Sequence, residues 1–169
     1  APVASAEGTL SPPGAVRELV DMRTATSKHW LNADGTRTAV ISAGPVHYQD
    51  IDGEWKDIDL TLGPAARADA GFSVTKNPVK VHLAGSADGI QTIESGEVSL
   101  SFAPIGARPV AGVVSGSSIT YPDAWPGVDL RYTVFPSGVK EELILKRKPD
   151  IAEFRFLLKT DSLDLTSNA

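Results

Sequence analysis

The stretch GVDLRYTVFPSGVKEELILK, residues 127–146, decides which class of fold this sequence predicts. In each half, apolar and polar residues alternate, which is the period of a β-strand with one buried face. The Pro-Ser-Gly at 136–138 separates the halves with residues that favour turns. The stretch therefore predicts an antiparallel hairpin. The inner face of its first strand would consist of Val128, Leu130, Tyr132 and Val134.

The same period-two pattern continues through most of the chain from Thr36 onward. Short strand candidates follow one another at even spacing, separated by Gly, Pro, Asn and Asp, without helical segments between them. We therefore expect an all-β fold, either an antiparallel β-sandwich or a partly closed barrel. One short N-terminal helix is expected in AVRELVDMR, residues 15–23, where apolar residues recur at helical spacing after Pro12-Pro13-Gly14.

The length of 169 residues suits one domain with a core of its own. We predict a flexible lead over residues 1–15, a single β-sandwich domain over 16–165, and a polar tail over 166–169 that marks a truncation or processing point. No apolar run reaches the roughly 18 residues that span a bilayer, so we expect no membrane insertion.

Composition narrows the classes of function. The chain has no cysteine, which excludes disulfides, thiolate zinc sites and cysteine nucleophiles. Its formal net charge of −5 would repel phosphate backbones, so nucleic acid is not an expected partner. The spacing of the three histidines does not match a metal-ligand motif; they are His29, His47 and His82. The sequence also contains neither a G-x-S-x-G elbow nor a phosphate-binding loop. The sequence therefore predicts a protein that is not an enzyme. A hydrolase would require His47, His82 and a Ser or Asp to converge in the fold.

The acidic stretch YQDIDGEWKDIDL, residues 48–60, invites a calcium-site interpretation. An EF-hand loop counted from Asp50 would have Gly53 at position 4 instead of 6 and Thr61 where a Glu is needed, so that motif fails. Asp52-Gly53 instead predicts a tight hairpin turn with positive φ at both residues. We expect Val46 and Tyr48 to point inward and the acids outward. A weak Ca²⁺ site formed by Asp50, Asp52 and Glu54 remains the alternative, and no other cofactor is expected.

The return strand of the first hairpin carries a carboxylate on an otherwise apolar stripe. Its matching phase is Val139, Glu141, Leu143 and Leu145. An acid in such a position must be paired, hydrogen-bonded or protonated. Glu141 is then either a buried catalytic or ligand-binding acid or, as we favour, an acid at the sandwich rim paired with a basic neighbour. The structurally important polar residues of this hairpin would be Asp129, Arg131, Lys140 and Glu141.

Several local motifs together resemble a known group of proteins. They are Arg-Thr-Ala-Thr-Ser at 23–27, Gly-Pro-Val-His-Tyr at 44–48 followed by Asp-Gly-Glu-Trp at 52–55, the strand at 126–132, and Gly-Val-Lys-Glu at 138–141. The chain resembles the N-terminal region of large secreted bacterial proteins, namely the wall-associated, RHS or YD-repeat, and DNRLRE- or LamG-domain proteins. This resemblance implies a secreted, extracellular or wall-attached location. It also implies a role as a module of a larger surface or polymorphic-toxin protein, with downstream domains of the same protein or another surface protein as partners.

Two functions remain open at this point. The first is a non-catalytic structural or interaction module. The alternative is a carbohydrate-binding module in which an exposed tryptophan stacks on the sugar rings of the cell wall or other glycans, assisted by acids or Ca²⁺. The candidate stacking residues are Trp30, Trp55 and Trp125.

Overall fold

The structure, a computed structural model, describes residues 11–66 and 71–161. Its backbone divides into two compact units. Unit 1 holds residues 11–58 together with Lys76–Pro78, and unit 2 holds residues 59–66, 71–75 and 79–161. The expected tail at 166–169 and most of the expected lead lie outside the described residues. The single domain over 16–165 stays a prediction, and each unit is described by itself.

Unit 1 consists of a three-stranded antiparallel sheet, in the order β1-β2-β3, and a separate two-stranded hairpin, β4-β5. Its strands are β1 (Ala15–Glu18), β2 (Ser27–Asn32), β3 (Arg37–Ile41), β4 (His47–Gln49) and β5 (Trp55–Asp57). The turn between β2 and β3 has Gly35 at φ +82°, and the Asp34 carboxylate accepts a hydrogen bond from the Thr36 amide at 3.0 Å. Asp-Gly pairs favour such turns, because both residues tolerate positive φ.

The prediction of a short N-terminal helix is wrong. Residues 15–23 form β1 and one 3-10 turn, Val20–Met22. A nine-residue helix gains few hydrogen bonds for the cost of its nucleation, so pairing with a neighbouring strand decides the outcome. β1 pairs with β2, with Glu18 opposite Trp30. Of the apolar residues behind the helical pattern, Leu19 is buried, whereas Val16 and Val20 are exposed.

Unit 2 contains two antiparallel sheets. Six strands are ordered β15-β10-β9-β8-β7-β6, and four are ordered β11-β12-β13-β14. The strands are β6 (Gly63–Pro64), β7 (Phe72–Val74), β8 (Lys80–Leu83), β9 (Gln91–Ser95), β10 (Val98–Pro104), β11 (Val113–Ser115), β12 (Ser118–Trp125), β13 (Val128–Phe135), β14 (Gly138–Leu145) and β15 (Phe156–Asp161). The all-β, antiparallel prediction is confirmed, and no sheet closes into a barrel among the residues described.

The core of unit 2 draws buried side chains from both of its sheets. The four residues that the alternation of β13 placed inward, Val128, Leu130, Tyr132 and Val134, are all buried. Tyr132 packs edge-on against Phe102 of β10, with ring centroids 5.5 Å apart, and against Tyr121 at 6.1 Å. Across the part of the chain that the structure describes, no helix has the length and apolar character to cross a membrane.

Candidate functional site

The most connected group of charges in unit 1 surrounds Asp57, the last residue of β5. Arg23, which follows the 3-10 turn, binds Glu18 through two nitrogens at 2.7 and 3.0 Å. A third contact joins the Arg23 guanidinium to the Asp57 carboxylate at 3.2 Å. Lys28 of β2 donates to the other Asp57 oxygen. The cluster therefore links β1 and β2 of the three-stranded sheet to the hairpin β4-β5.

His47 completes this cluster from β4. Its side chain is fully buried; Nδ1 lies 2.7 Å from the Thr24 carbonyl oxygen, and Nε2 lies 3.6 Å from Asp57. A carbonyl oxygen only accepts, so His47 Nδ1 carries a proton and donates it to Thr24. This finding corrects the expected parity of the arm, because His47 points into unit 1 instead of Val46 and Tyr48, which are only partly buried.

Glu18 and Asp57 are the acids that pair with the cations of the Asp57 cluster, and the pKa values of both carboxyls are lowered. The hydrogen bond from Arg23 lowers the pKa of Glu18. Burial acts to raise the pKa of Asp57, but its bond with Lys28 and the charges of Lys28, Arg23 and His47 outweigh burial and lower it. Both carboxyls are thus ionised at neutral pH. The side chains of Arg23 and Lys28 are each only 10% exposed, so the Asp57 cluster is a largely buried set of ion pairs that connects elements of unit 1.

In unit 2, one face of the six-stranded sheet is polar from β7 to β15. Directly opposite residues on antiparallel strands share a face, and the register aligns two polar rows across the strands. The first row is Ser73, His82, Thr92, Ser101 and Lys159, and the second is Lys80, Glu94, Ser99 and Asp161. Hydroxyl and imidazole groups along the first row contact one another, with Ser73 Oγ 3.3 Å from His82 Nδ1 and Thr92 Oγ1 3.2 Å from Ser101 Oγ.

Two shallow pockets open on this polar face. One, of about 200 Å³, is lined by Lys80, His82, Glu94 and Ser73 among others. The other, of about 290 Å³, is lined by Ser99, Ser101, Lys159, Thr160 and Asp161. The first pocket brings together an imidazole, a carboxylate and an ammonium group. These are the side-chain types that general acid–base chemistry with electrostatic stabilisation uses.

Gly71 permits the local packing beside this pocket. A Cβ at residue 71 would lie 2.6 Å from His82 Cε1 and 2.6 Å from the Leu83 carbonyl oxygen. Both distances are shorter than any ordinary contact, so the close approach of the chain to β8 requires glycine.

The three candidate tryptophans lie in different settings. Trp125 is only 4% exposed and packs edge-on against Phe154, with centroids 5.0 Å apart, and against Phe156 at 6.2 Å. Its ring faces are therefore not available for stacking on a sugar. Trp30 and Trp55, in β2 and β5, are partly buried. Trp55 lies opposite Gln49, and its carbonyl oxygen accepts a bond from Arg23 at 3.3 Å.

The acidic loop between β4 and β5 forms the predicted hairpin with a different turn. Among the residues described, only Gly53 of the Asp52-Gly53 pair has positive φ, at +80°. The Asp50 carboxylate accepts bonds from the amides of Asp52 at 3.0 Å and Glu54 at 2.9 Å. Lys56 contacts both Asp50, at 3.6 Å, and Glu54, at 2.5 Å. An ammonium group thus occupies the space that a cation would share with these carboxylates.

No group of three or more His, Asp or Glu side chains is placed to hold a metal ion within residues 11–66 and 71–161. Asp50, Asp52 and Glu54 are therefore not assembled as a metal centre in this structure. Weak calcium binding by the loop stays a prediction. His47 belongs to unit 1 and His82 to unit 2.

The polar residues predicted on the β13-β14 hairpin each have a local partner. Arg131 donates to Thr120 at 3.0 Å, and Lys140 donates to Glu142 at 2.8 Å. Glu141 lies opposite Tyr132, and partial burial of its carboxyl raises its pKa, although the residue as a whole is exposed. The Tyr132 hydroxyl acts in the opposite direction and lowers the pKa of Glu141, whereas Lys140 is bonded to Glu142.

Asp129 belongs to a motif that sequence reasoning did not find. Lys146 lies 2.8 Å from Asp129 and 3.0 Å from Asp123, and the Asp123 amide donates to Asp129 at 2.7 Å. Asp123 has a φ of +52°, the one positive value at a non-glycine residue in the described chain. It lies where the β12-β13 register shifts, between Tyr121 and Trp125. The Pro-Asp-Ala-Trp-Pro-Gly run at 122–127, with two prolines and a glycine, was the available signal for an irregular strand end.

Three curated bacterial proteins match 85% of this chain. They are the tRNA(Glu)-specific nuclease WapA of Bacillus subtilis subsp. natto, 21% identical over 159 residues, the tRNA nuclease WapA of Bacillus subtilis strain 168, 22% identical over 157 residues, and the tRNA3(Ser)-specific nuclease WapA of Bacillus spizizenii, 20% identical over 159 residues. The chain spans about 7% of the length of these relatives. No family model and no solved structure matches it.

These names correct two expectations. A nuclease is an enzyme, so the prediction of a non-enzymatic protein is contradicted by the relatives. The prediction of a non-catalytic module, with carbohydrate binding as its alternative, is wrong for the same reason. The resemblance to RHS, YD-repeat, DNRLRE- or LamG-domain proteins is not tested by these matches and stays a prediction.

Proposed function

We propose that this chain is part of a nuclease that cleaves tRNA. The observation that carries the proposal is the match of 85% of the chain to three proteins that are all named as tRNA nucleases. Because the chain spans about 7% of their length, the proposal concerns the activity of the whole protein. A nuclease agrees with the polymorphic-toxin role that the sequence resemblance implies.

The charge of the chain bears on how such a protein would meet its substrate. A net charge of −5 opposes binding of a polyanion by these residues alone. The expectation that nucleic acid is not a partner therefore applies to the surface of this chain, and tRNA is proposed as the substrate of the whole protein. We expect the isolated chain to bind tRNA weakly.

Within the chain, we propose the pocket of Lys80, His82 and Glu94 as the candidate site for RNA cleavage. Glu94 and His82 can take a proton from an attacking 2′-hydroxyl and return one to the leaving 5′-oxygen. The Lys80 ammonium can stabilise the charge that develops on the phosphate. Ser73, 3.3 Å from His82 Nδ1, would hold the imidazole in orientation.

The test incubates the whole protein with tRNA and separates the products on a denaturing gel. Cleavage is the expected result, and intact tRNA under conditions where the protein is folded would overturn the proposed function. His82→Ala and Glu94→Gln are then compared with Glu97→Gln, an exposed acid in the next turn. Loss of cleavage in the first two variants supports the pocket. Unchanged cleavage in both rejects the pocket and leaves the whole-protein proposal standing.

We also propose that the protein is exported to the cell surface. Its proposed partners are its own downstream domains. For unit 2, we propose that the two sheets form an open sandwich. The resemblance over residues 16–165 supports export, and the shared core supports the sandwich. Cell fractionation followed by immunoblotting tests export, which would be rejected if the protein were found only in the cytosolic fraction.

A further inference from the structure

Three Asp-Gly pairs occur in the sequence, at residues 34–35, 52–53 and 88–89, and each lies in a turn of the structure. In such a pair the backbone nitrogen of the glycine can attack the side-chain carboxyl carbon of the aspartate, because glycine has no Cβ to hinder the approach. A cyclic succinimide forms, and its hydrolysis leaves either aspartate or isoaspartate. The three pairs share this chemistry, so their surroundings decide which of them reacts first.

The attacking nitrogens are restrained alike in the three turns. Each glycine amide donates a hydrogen bond to the carbonyl oxygen of the residue three positions earlier. The distances are 3.1 Å for Gly35 to Asn32, 3.0 Å for Gly53 to Asp50, and 3.0 Å for Gly89 to Ser86. The nitrogens therefore do not rank the pairs, and the difference lies in the carboxyl groups.

The carboxyl groups of Asp34 and Asp88 are held by hydrogen bonds. Asp34 accepts bonds from the Thr36 hydroxyl at 2.6 Å and from the Thr36 amide at 3.0 Å, and these bonds lower its pKa. Asp88 accepts a bond from the Ser86 hydroxyl. A carboxylate that accepts such bonds is stabilised in its charged form. The charged form resists attack, because one carboxyl oxygen must be protonated before it leaves as water.

The Asp52-Gly53 pair lacks these contacts. Within residues 11–66 and 71–161, no group donates a hydrogen bond to the Asp52 carboxylate and no cation pairs with it. A Cβ on Gly53 would meet no atom within 4 Å, and the neighbouring Ile51 is fully exposed. Both reacting groups therefore lie at the open tip of the β4-β5 hairpin, where the Asp52 carboxyl is free to turn toward the Gly53 nitrogen.

We propose that Asp52-Gly53 is a site of spontaneous isoaspartate formation and that it reacts before the other two Asp-Gly pairs. The Gly53 nitrogen gives up its proton and forms a bond to Cγ of the protonated Asp52 carboxyl, and the carboxyl hydroxyl leaves as water. Hydrolysis then adds one water to the ring. When this step breaks the bond between the nitrogen and the backbone carbonyl carbon of Asp52, the chain continues through Cβ and Cγ, and the residue is isoaspartate.

Isoaspartate at residue 52 lengthens the backbone of the turn by one carbon atom. The turn depends on bonds that fit the ordinary backbone, since the Asp50 carboxylate accepts the amides of Asp52 at 3.0 Å and Glu54 at 2.9 Å. The strand β5 follows directly and carries Asp57, whose carboxylate binds the two largely buried cations of the Asp57 cluster. The modification therefore weakens the hairpin and lowers the stability of unit 1.

The test follows isoaspartate in the folded protein during incubation at neutral pH. Trypsin cleaves after Lys and Arg, so digestion places the three pairs on separate peptides, 29–37, 38–56 and 81–131. Mass spectrometry with electron-transfer fragmentation distinguishes isoaspartate from aspartate in each peptide. We expect isoaspartate at residue 52 to accumulate at least about fivefold faster than at residues 34 and 88, which is the factor for releasing one hydrogen bond. Equal rates, or a slower rate at residue 52, would overturn the proposal.

Two controls separate the effect of structure from that of sequence. In denaturant the carboxyl contacts are lost, so the three rates should become similar. If residue 52 keeps its full lead there, the open hairpin tip is not the cause and the proposal is wrong. Ser86→Ala releases the Asp88 carboxyl and should raise the rate at residue 88 about fivefold in the folded protein, with the rate at residue 52 unchanged. No rise at residue 88 would show that a free carboxyl does not set the order, which rejects the proposal.

Asp52→Glu tests the effect on stability. The substitution keeps the negative charge, but attack on the longer side chain would close a larger ring and is slow, so isoaspartate should not form. After the same incubation, the wild type should unfold at a lower denaturant concentration than fresh protein, whereas Asp52→Glu should not change. Circular dichroism checks that the fresh variant is folded. If incubated wild type contains isoaspartate at residue 52 and still unfolds like fresh protein, the proposed loss of stability is wrong.

Discussion

The carboxylate of Asp57 lies 3.2 Å from the guanidinium of Arg23, a residue 34 positions earlier in the chain. The same carboxylate accepts a hydrogen bond from Lys28, whose side chain is 10% exposed. Two largely buried cations of unit 1 therefore depend on one acid that comes from the hairpin β4-β5. Their dependence on Asp57 leads directly to a mutational prediction.

Asp57→Asn should destabilise unit 1 by about 1–2 kcal/mol, because Lys28 loses the charge that compensates its burial and Asp57 is itself partly screened by solvent. Denaturant unfolding followed by tryptophan fluorescence measures the loss. Asp52→Asn, an exposed acid in the turn of the same hairpin, is the control and should change stability by less than about 0.5 kcal/mol. Equal effects of the two variants would show that Asp57 contributes no more to the free energy of unfolding than an ordinary surface charge does.

Acid should weaken the same cluster. The pKa of Glu18 is lowered from its ordinary value of 4.5 by its bond with Arg23. The pKa of Asp57 is lowered from 3.8 because its cationic neighbours outweigh its burial. The unfolded chain then binds more protons than the folded one, so this contribution to stability is complete above about pH 5 and is lost as the pH falls through the lowered values.

The measurement for the acid effect is the free energy of unfolding between neutral pH and about pH 3. Other carboxylates in the chain also titrate in this range, so the wild type is compared with the double variant Glu18→Gln and Asp57→Asn. The wild type should lose more stability than the variant on acidification. If the free energy of unfolding changes with pH in the same way for the two proteins, Glu18 and Asp57 do not account for the pH dependence of stability.

The strands were predictable from sequence because their signal is local. The alternation in residues 127–146 identified the buried face of β13 residue by residue, and Asp52-Gly53 identified the β4-β5 hairpin. The first strand was missed because AVRELVDMR also fits a helical period, and only its pairing with β2 decides between the two.

The candidate sites were much less predictable because they are assembled across distant segments. Nothing near Asp57 in the sequence indicates Arg23, Lys28 or His47 as its partners. The apolar Val46 and Tyr48 predict the inner face of the β4 arm one residue out of phase with the structure, in which His47 is the buried residue. His47 faces inward with its Nδ1 bonded to the Thr24 carbonyl oxygen and its Nε2 3.6 Å from the Asp57 carboxylate, and both partners are distant in sequence.

Gly71→Ala should destabilise unit 2 by about 1–3 kcal/mol, since the new Cβ would lie 2.6 Å from the His82 ring and from the Leu83 carbonyl oxygen. Thermal unfolding by circular dichroism gives the size of the effect. Gly63→Ala is the matched control, because it lies on the adjoining strand β6 and a Cβ there meets no atom within 4 Å. If both variants unfold like the wild type, the chain beside β8 can shift freely and Gly71 is not required.

Trp125→Ala should cost unit 2 about 3–5 kcal/mol, because it removes a buried ring that packs against Phe154 and Phe156. Trp55→Ala, at a partly buried position, should cost less than about 2 kcal/mol. Chemical denaturation of the two variants provides the comparison. A larger loss for Trp55 than for Trp125 would contradict the assignment of Trp125 as a core residue.

Substitutions at Asp123 should separate backbone strain from side-chain bonding. Asp123 holds a φ of +52°, its carboxylate accepts a bond from the Gly127 amide at 3.2 Å, and it pairs with Lys146 at 3.0 Å. Asp123→Ala loses both contacts and keeps the strain, so it should be the least stable variant. Asp123→Asn keeps an acceptor oxygen and tolerates positive φ, so it should stay close to the wild type. Asp123→Gly relieves the strain but loses the contacts, and we expect it between the other two. Unfolding midpoints of the three variants give their order of stability. If Asp123→Ala is as stable as Asp123→Asn, neither the contacts of the Asp123 carboxylate nor its positive φ affects the stability of unit 2 measurably.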